Sequence, residues 1–414
     1  MSEKSGETKK STKQIIIETA FSFFLEPRYH DFSMNELAAK VGISKAAIYR
    51  HFSSKDALLL EMEEHFFDLT ALRTAAILNE KNESLVHFAK LIEFFDEHKE
   101  FINYSIIQFS RRKDFGRQLG EAMKKRGIKD LSFFFIEPSS SKDLRFSFSR
   151  SFYIALSMIF FIKLREISAK QNPAQKIAPS GEFGKKLVEF LHGGLESSVK
   201  EGDILFPQKI DSERMKELDE ICKIQKDTFP EENPIFCAIA KVSCGCGIGG
   251  VTLEKVAETL GMAKSSLYFY FDNKLDMFKS LIERELSLLE EFVRENFAEA
   301  KNFSEFAWIL LRSNLEFFMT RKSIIPSLSW FLQGVTENPF ETQGREISNI
   351  WEKRMGGKVL RPDLGFFIKP QWITTWLGCI SMALSIVAQN HSLSKEEAFE
   401  MLSFVFDFLE FGTK

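Results

Sequence analysis

The chain has 414 residues, of which 44% are hydrophobic and 27% are charged, and its formal net charge is −3. This length exceeds the roughly 100–200 residues of one domain, while the composition is ordinary for a globular protein. No apolar run in the sequence reaches the ~18 residues that span a bilayer, so no membrane association is expected. The polar N-terminal stretch lacks the apolar core of a signal peptide, which predicts a cytoplasmic protein.

The cysteines do not follow a disulfide or metal pattern. There are five, an odd number, which disfavours a disulfide scaffold. Cys244 and Cys246 form a Cys-x-Cys pair, but the nearest histidines in the sequence, His192 and His391, are far away. Since a zinc site commonly takes about four ligands from closely spaced Cys or His pairs, buried free thiols are the favoured interpretation. Neither a metal nor a cofactor is expected.

Apolar residues recur at helical spacing along the chain, as at Leu37, Val41, Ile48 and Phe52. Long alternating patterns, which are typical of strands, are absent from the sequence. The sequence therefore predicts an all-α fold.

The stretch FSMNELAAKVGISKAAIYRHF has the pattern of a helix-turn-helix. Ser33 and, three residues on, Glu36 predict a capping box at a helix start. Gly42 lies where the chain turns, because glycine tolerates a positive φ, and Ser44 can cap the next helix. A unit of this kind places its second helix in the major groove of DNA. Here that helix presents Lys45, Ala46, Tyr49 and Arg50, and Lys55 can meet a phosphate.

The motif occurs twice, at a constant offset of 219 residues. ISKAAIYRHFSSK lies over MAKSSLYFYFDNK, and further matches place 92–102 over 315–325 and 155–158 over 379–382. In the two copies, Ser53 and Asp272 are expected to cap the helix that follows. An internal repeat of this extent predicts two related halves rather than one motif grafted twice.

Two tandem helical repeats are therefore expected, each with an N-terminal three-helix helix-turn-helix domain and a C-terminal helical domain. The join between them is polar, and Met215 and Leu218 indicate a short helix inside it. The predicted boundaries are 10–56 and 57–200 for the two domains of the first half, 201–232 for a linker, and 233–276 and 277–414 for the two domains of the second half.

These residues carry a resemblance to a known family. FSMNELAAKVGISKAAIYRHFSSKDALL and VTLEKVAETLGMAKSSLYFYFDNKLDMF both resemble the N-terminal signature of TetR-family transcriptional regulators, down to a Tyr-x-x-Phe-x-x-Lys run. The resemblance implies a three-helix DNA-binding domain followed by a divergent helical ligand-binding and dimerisation domain. The chain resembles two such subunits fused in tandem, and it is expected to be a regulator and not an enzyme.

The family's functional positions are carried over where this sequence matches them. They are the capping hydroxyl, the exposed face of the recognition helix, the Tyr over the DNA backbone, the residue two after it and the backbone Lys. In the first copy the DNA-binding residues are Ser33, Ser44, Lys45, Ala46, Tyr49, Arg50, His51 and Lys55, and in the second copy they are Thr252, Lys264, Ser265, Tyr268, Tyr270 and Lys274.

The sequence departs from the family pattern at three points. Ala46 in the first copy and Ser265 in the second stand where the family often has a glycine after the first lysine of the recognition helix. The other two departures are in the second copy. Ala263 stands where a capping Ser is expected, and the Cys- and Gly-rich stretch SCGCGIGG precedes Val251. Whether the second copy binds DNA therefore stays open.

Family members are homodimers, so resemblance and duplication together predict that the two halves pair within the chain as a pseudo-dimer on a double-stranded DNA operator. Helices over 150–169, 183–196, 370–390 and 395–412 are broadly apolar and can form a four-helix interface. Because SKAAIYRHF and AKSSLYFYF differ, an asymmetric operator is expected. A homodimer of the whole chain, with four helix-turn-helix domains (heads), is the open alternative.

A small effector, apolar or lipid-like, is expected to bind each half or one of them and to release DNA. Repression is the expected mode, with activation left open. The 44 Phe residues suit either large cavities or a plain core. The pocket candidates are Phe94, Phe95, Tyr104, Phe109, Tyr153 and Phe160 in the first half, and Phe317, Phe318, Trp330, Phe331, Trp372 and Trp376 in the second.

Two other classes of function compete with regulation. One is a scaffold protein that kept the fold and lost DNA binding in one or both heads. The other is an enzyme acting on a hydrophobic substrate, for which the sequence offers no catalytic constellation.

Overall fold

The structure, a computed structural model, describes residues 10–25, 32–80, 84–112, 114–128, 142–171, 177–202, 204–246, 250–327, 349–350, 353 and 370–413. These residues form α-helices, joined by turns and short 3-10 segments, and no strand occurs among them. The predicted all-α fold is confirmed.

The helices fall into two series on either side of a short joining helix. The first series is α1 Thr12–Ser22, α2 Met34–Val41, α3 Lys45–His51, α4 Lys55–Leu78, α5 Ser84–Glu97, α6 Lys99–Arg111, α7 Phe115–Lys125, α8 Lys142–Gln171 and α9 Ser180–Ser198, and the join holds α10 Ser212–Ile221. The second series is α11 Pro234–Cys246, α12 Leu253–Thr259, α13 Lys264–Tyr270, α14 Lys274–Asn296, α15 Phe303–Thr320, α16 Pro370–Asn390 and α17 Lys395–Phe411.

The start of α2 has the predicted capping box. The Glu36 amide donates to Ser33 Oγ at 3.2 Å, and the Ser33 amide donates to Glu36 Oε2 at 2.7 Å. The helix ends at Gly42, whose φ of 78° lies in the left-handed region that favours glycine. Ser44 then caps α3 by accepting from the Ala47 amide at 3.1 Å. These local signals fix the angle between α2 and α3.

The caps of α4 and α14 are each one residue later than predicted. Ser54 and not Ser53 accepts from the Ala57 amide, and Asn273 and not Asp272 accepts from the Asp276 amide. Ser53 and Ser54 are both capping residue types, and so are Asp272 and Asn273. Sequence preference alone could therefore not decide which residue of each pair is the cap.

The two series meet in a core of four helices, α8, α9, α16 and α17. Helix α17 packs on α8 and α9, and α16 packs on α8. Trp376 is 1% exposed, and its ring lies 5.0 Å from that of Phe161 and 5.9 Å from that of Phe190. At the edge of this core, Arg145 Nε donates to Glu400 Oε2 at 2.6 Å. The halves thus share one hydrophobic core.

Two glycines allow close backbone approach between α9 and the end of α17. A Cβ built on Gly194 would lie 2.4 Å from the Gly412 nitrogen, and one built on Gly412 would lie 2.0 Å from the His192 carbonyl oxygen. Both glycines have positive φ. The amide of Thr413 donates to the Leu191 carbonyl across this contact at 3.2 Å.

The predicted linker packs against the second half. Its predicted short helix is α10, and Trp308 Nε1 on α15 donates to Asp219 Oδ1 at 3.1 Å. Arg214 Nη2 donates to Glu305 Oε2 at 2.9 Å. With α10, α14, α16 and α17 around it, α15 is buried on all sides from Phe303 to Met319.

One described helix, over Gln371–Asn390, is long and apolar enough by length and composition to cross a membrane. It is longer than any uninterrupted apolar run in the sequence, because polar residues such as Gln371, Thr374 and Gln389 lie towards its ends. In the fold, 61% of its most apolar stretch is buried inside the protein, where it forms part of the four-helix core.

Candidate nucleic-acid interface

Helix α3 of the first half exposes the face that the sequence predicts on DNA. Ile48 and Phe52 are 0% and 2% exposed and hold the helix against the core. Lys45, Ala46, Tyr49, Arg50 and His51 are exposed on the other side. The Lys45 ammonium lies 5.9 Å from the centre of the Tyr49 ring.

An open recess of about 460 Å³ lies between the start of α2 and the face of α3. Lys55, at the start of α4, donates through Nζ to the Phe32 carbonyl, which holds its ammonium at the recess. Asn35 also lines the recess and was not predicted from the sequence. The lining residues are Phe32, Ser33, Met34, Asn35, Glu36, Lys45, Tyr49 and Lys55. Basic and amide groups around an open surface are suited to phosphate oxygens.

The corresponding surface of the second half holds an internal ion pair. Thr252 caps α12 as predicted, accepting from the Lys255 amide at 3.3 Å. Glu254, two residues on, lies with Oε1 2.5 Å from Lys264 Nζ, and the Tyr268 hydroxyl donates to the same oxygen at 3.3 Å. The hydrogen bond from Lys264 lowers the pKa of Glu254 to about 2. Two side chains predicted to meet DNA are therefore both bonded to one carboxylate.

Sequence reasoning missed Glu254, although a signal was present. The offset of 219 residues places it over Asn35, so the alignment of the two copies already showed an acidic residue where the first copy has an amide. Its contact with Lys264 depends on the distance between the two side chains in space, which spacing along the chain does not give.

The second reading helix also differs in what it exposes. Leu267 is 1% exposed and anchors α13, whereas Phe269 is 83% exposed and Tyr270 is 68% exposed. The rings of Phe269 and Tyr270 lie 5.3 Å apart, edge to face. Phe269 occupies the position of Arg50 in the first half. The remaining predicted residues, Ser265 and Lys274, are exposed and half-buried respectively.

The predicted effector residues do not divide into one cluster for each half. Tyr153 of the first half and Trp376 of the second lie 6.1 Å apart by ring centre, and Phe160 lies 6.4 Å from Trp376. Tyr104, in contrast, contacts Phe21 of α1, with ring centres 5.3 Å apart.

Other predicted pocket residues lie elsewhere in the fold or outside its described part. Phe109 packs on Phe115 at 4.9 Å between ring centres. Trp330 and Phe331 lie outside the described residues. The rest are buried on helices α5, α15 and α16, and they are Phe94, Phe95, Phe317, Phe318 and Trp372.

Among the described side chains, no group of three His, Cys, Asp or Glu residues is placed to hold a metal ion. Cys222 is buried, and burial raises the pKa of its thiol to about 12. The side chains of Cys244 and Cys246 lie outside the described part of the chain.

The geometry defines a class of protein with two helix-turn-helix heads on a helical body. The sequence profile of bacterial regulatory proteins of the tetR family matches residues 16–62 and 246–281, which contain the two heads. The chain therefore carries the N-terminal domain of the tetR family twice in tandem.

Two curated relatives from Bacillus subtilis (strain 168) are similar to part of the chain. The uncharacterized HTH-type transcriptional regulator YuxN is 36% identical over 105 residues, which is 24% of this chain and 36% of that protein. The uncharacterized HTH-type transcriptional regulator YerO is 31% identical over 96 residues, which is 22% of this chain and 33% of that protein. Each alignment thus spans about a third of the relative's length.

Proposed function

We propose that the chain is a DNA-binding transcriptional regulator in which the two heads act as a built-in dimer on an asymmetric operator. The observation that carries this proposal is the four-helix core, which joins two halves that each present a helix-turn-helix. The two matches to the N-terminal domain of the tetR family support DNA as the ligand of the heads.

Pairing within one chain has a thermodynamic consequence. In a homodimer the second head is recruited from solution, whereas here the covalent connection makes pairing independent of protein concentration. The buried contacts of Trp376 and the backbone hydrogen bond from Thr413 to Leu191 would hold the heads at a fixed separation. We infer that this separation matches one DNA turn, about 34–36 Å, as two reading helices require.

The two heads should read different half-sites. Arg50 on α3 offers a charged fork, while Phe269 at the same position on α13 offers only an apolar ring. Asn35 is likewise replaced by Glu254. Such differences favour an operator with unlike halves over a palindrome.

A small apolar effector would act through the shared core. Tyr153, Phe160 and Trp376 form an aromatic cluster between the halves, so a ligand inserted there would change how the heads are spaced. Effector binding can shift the protein only by its preference for one spacing over the other. Release of DNA, and hence repression in the free state, is the proposed mode, in the cytoplasm.

A scaffold role is the second candidate, and the ion pair between Glu254 and Lys264 favours it. Both functions are tested by the affinity of the purified chain for a random-sequence duplex pool at several salt concentrations, followed by selection of bound sequences. A regulator enriches a defined sequence. Its affinity falls as salt is added, with a slope of log K against log salt of about −0.9 for each phosphate neutralised. A scaffold enriches nothing and shows no such slope.

A further inference from the structure

Phe269 is the most exposed of the large hydrophobic side chains described, at 83%. It does not contribute to the core, because the buried anchor of α13 is Leu267. A ring left in water gains nothing from folding, since burial of apolar area is the source of hydrophobic stabilisation. Its exposure points to a partner that covers it.

The place of Phe269 in the fold identifies that partner. It lies at the position that Arg50 has in the first head, on the helix that a helix-turn-helix inserts into the major groove. Ser265, another predicted DNA-binding residue, lies four residues before Phe269 on α13 and so on the same face of that helix. The ring therefore continues a predicted DNA face. The proposed function assigns this face to DNA, and the inference rests on that function.

The major groove offers an apolar ring one distinctive contact. An arginine recognises guanine through two hydrogen bonds to O6 and N7, which Phe269 cannot make because its ring carries no donor. Thymine alone among the four bases displays a 5-methyl group there, and apolar side chains contact it.

The charge pattern around Phe269 supports an apolar contact. Lys264, a potential hydrogen-bond donor to bases, is bonded to Glu254 at 2.5 Å, and that carboxylate also holds the Tyr268 hydroxyl. In the first head Asn35 replaces this carboxylate and Arg50 replaces the ring. The second head thus offers fewer polar side chains for contact with the bases than the first head does.

We propose that Phe269 determines the specificity of the second head by contacting the 5-methyl group of a thymine, whereas Arg50 directs the first head to a guanine. The operator then has one half-site with a required guanine and one half-site with a required thymine. The two requirements belong to different heads and are independent of each other.

The test uses uracil, which is thymine without the 5-methyl group. The full chain selects duplexes from a random pool, and each thymine of the enriched sequence is then replaced in turn by uracil. One replacement in the half-site of the second head should weaken binding about fourfold, the value of one buried methyl group. The same replacement should not weaken DNA binding by the Phe269→Ala variant. The Arg50→Ala variant should respond to uracil as the wild type does.

Phe269→Arg provides a gain-of-function control, because it installs the residue of the first head. This variant should enrich guanine where the wild type enriches thymine. Since Phe269 is exposed, neither of its substitutions should change the helical circular dichroism or the melting temperature.

The outcomes separate the inference from the function on which it rests. If the chain enriches no sequence, the proposed function fails. If it enriches a sequence but no uracil weakens binding, or if Phe269→Ala responds to uracil as the wild type does, the regulator stands and the role of Phe269 is wrong. Enrichment of guanine in both half-sites by the wild type would also overturn the inference.

Discussion

The indole Nε1 of Trp376 donates a hydrogen bond of 3.2 Å to Ser157 Oγ, which joins the two halves of the chain in the middle of their shared core. Both side chains are buried, at 1% and 0% exposed. A hydroxyl in such a place has no water to replace a lost donor, so the pair resists separation of the halves.

Trp376→Phe should therefore destabilise the protein by about 1–3 kcal/mol more than the loss of ring volume alone does, because a buried polar group is left without its donor. Trp372→Phe is the matched control, because Trp372 is also buried on α16 and loses the same ring volume. Urea unfolding of both variants measures the difference. Equal midpoints would show that the hydrogen bond contributes nothing.

The Glu254–Lys264 ion pair gives a prediction for DNA affinity. Glu254→Asn installs the residue that the first half has at Asn35, and it frees Lys264 to meet a phosphate. The affinity for the enriched duplex should rise, and the slope of log K against log salt should become steeper by about 0.9.

A neighbouring carboxylate serves as its control. Glu258 is exposed on the same helix α12, so Glu258→Gln removes one negative charge from the same head without freeing Lys264. An equal gain in both variants would mean that general charge, and not the ion pair, limits binding.

The close approach of α9 and α17 at Gly194 should be sensitive to a single methyl group. Gly194→Ala places a Cβ 2.4 Å from the Gly412 nitrogen, so the helices must move apart. Gly202→Ala is a matched control, because Gly202 also has a positive φ, of 84°, but nothing lies within 4 Å of its Cβ. The melting temperature should fall clearly further for Gly194→Ala, since only that variant adds overpacking, at about 1–3 kcal/mol. Equal shifts would contradict the contact.

Glu410, near the end of α17, predicts a pH dependence of stability. Burial raises the pKa of this carboxyl to about 8, a hydrogen bond from Ser304 opposes the shift, and the charge of Asp407 adds to it. In the unfolded chain the group ionises near its ordinary pKa of 4.5. Between these values the folded state holds a proton that the unfolded state releases, so stability falls as pH rises from about 4.5 to about 8.

Glu410→Gln should remove this fall, which amounts to at most roughly 1.4 kcal/mol for each pH unit of the window. Melting temperatures at pH 5 and pH 8 measure it, with Glu396→Gln as the control, because Glu396 is exposed on the same helix. A variant that loses as much stability as the wild type between these pH values would assign the dependence to another group.

Local features of the fold could be predicted where a residue type strongly favours one local conformation. Ser33 with Glu36, and Gly42 at the turn, predicted the first helix-turn-helix because capping and positive φ act within a few residues. The caps at Ser54 and Asn273 were misplaced by one position, since adjacent residues had the same capping ability. The four core helices could be recognised by their apolar faces.

Features that depend on distance through space could not be predicted. Glu254 faces Lys264 only because α12 and α13 cross, and the contact of Tyr153 with Trp376 exists only because the halves pack on each other. The sequence predicted both aromatic residues as pocket candidates but assigned them to two separate pockets, one in each half. Periodicity identifies the buried face of a helix but not which helix covers it.

The most direct test of the built-in dimer is a footprint of the purified chain on the duplex that it selects, together with the mass of the complex. The account predicts one chain per duplex and one protected stretch of about 15–20 base pairs with unlike halves, as two heads one turn apart require. Arg50→Ala should open one half of that stretch, and Phe269→Ala should weaken protection of the other. Protection of a single half-site by the wild type, or a palindrome bound by two chains, would contradict it.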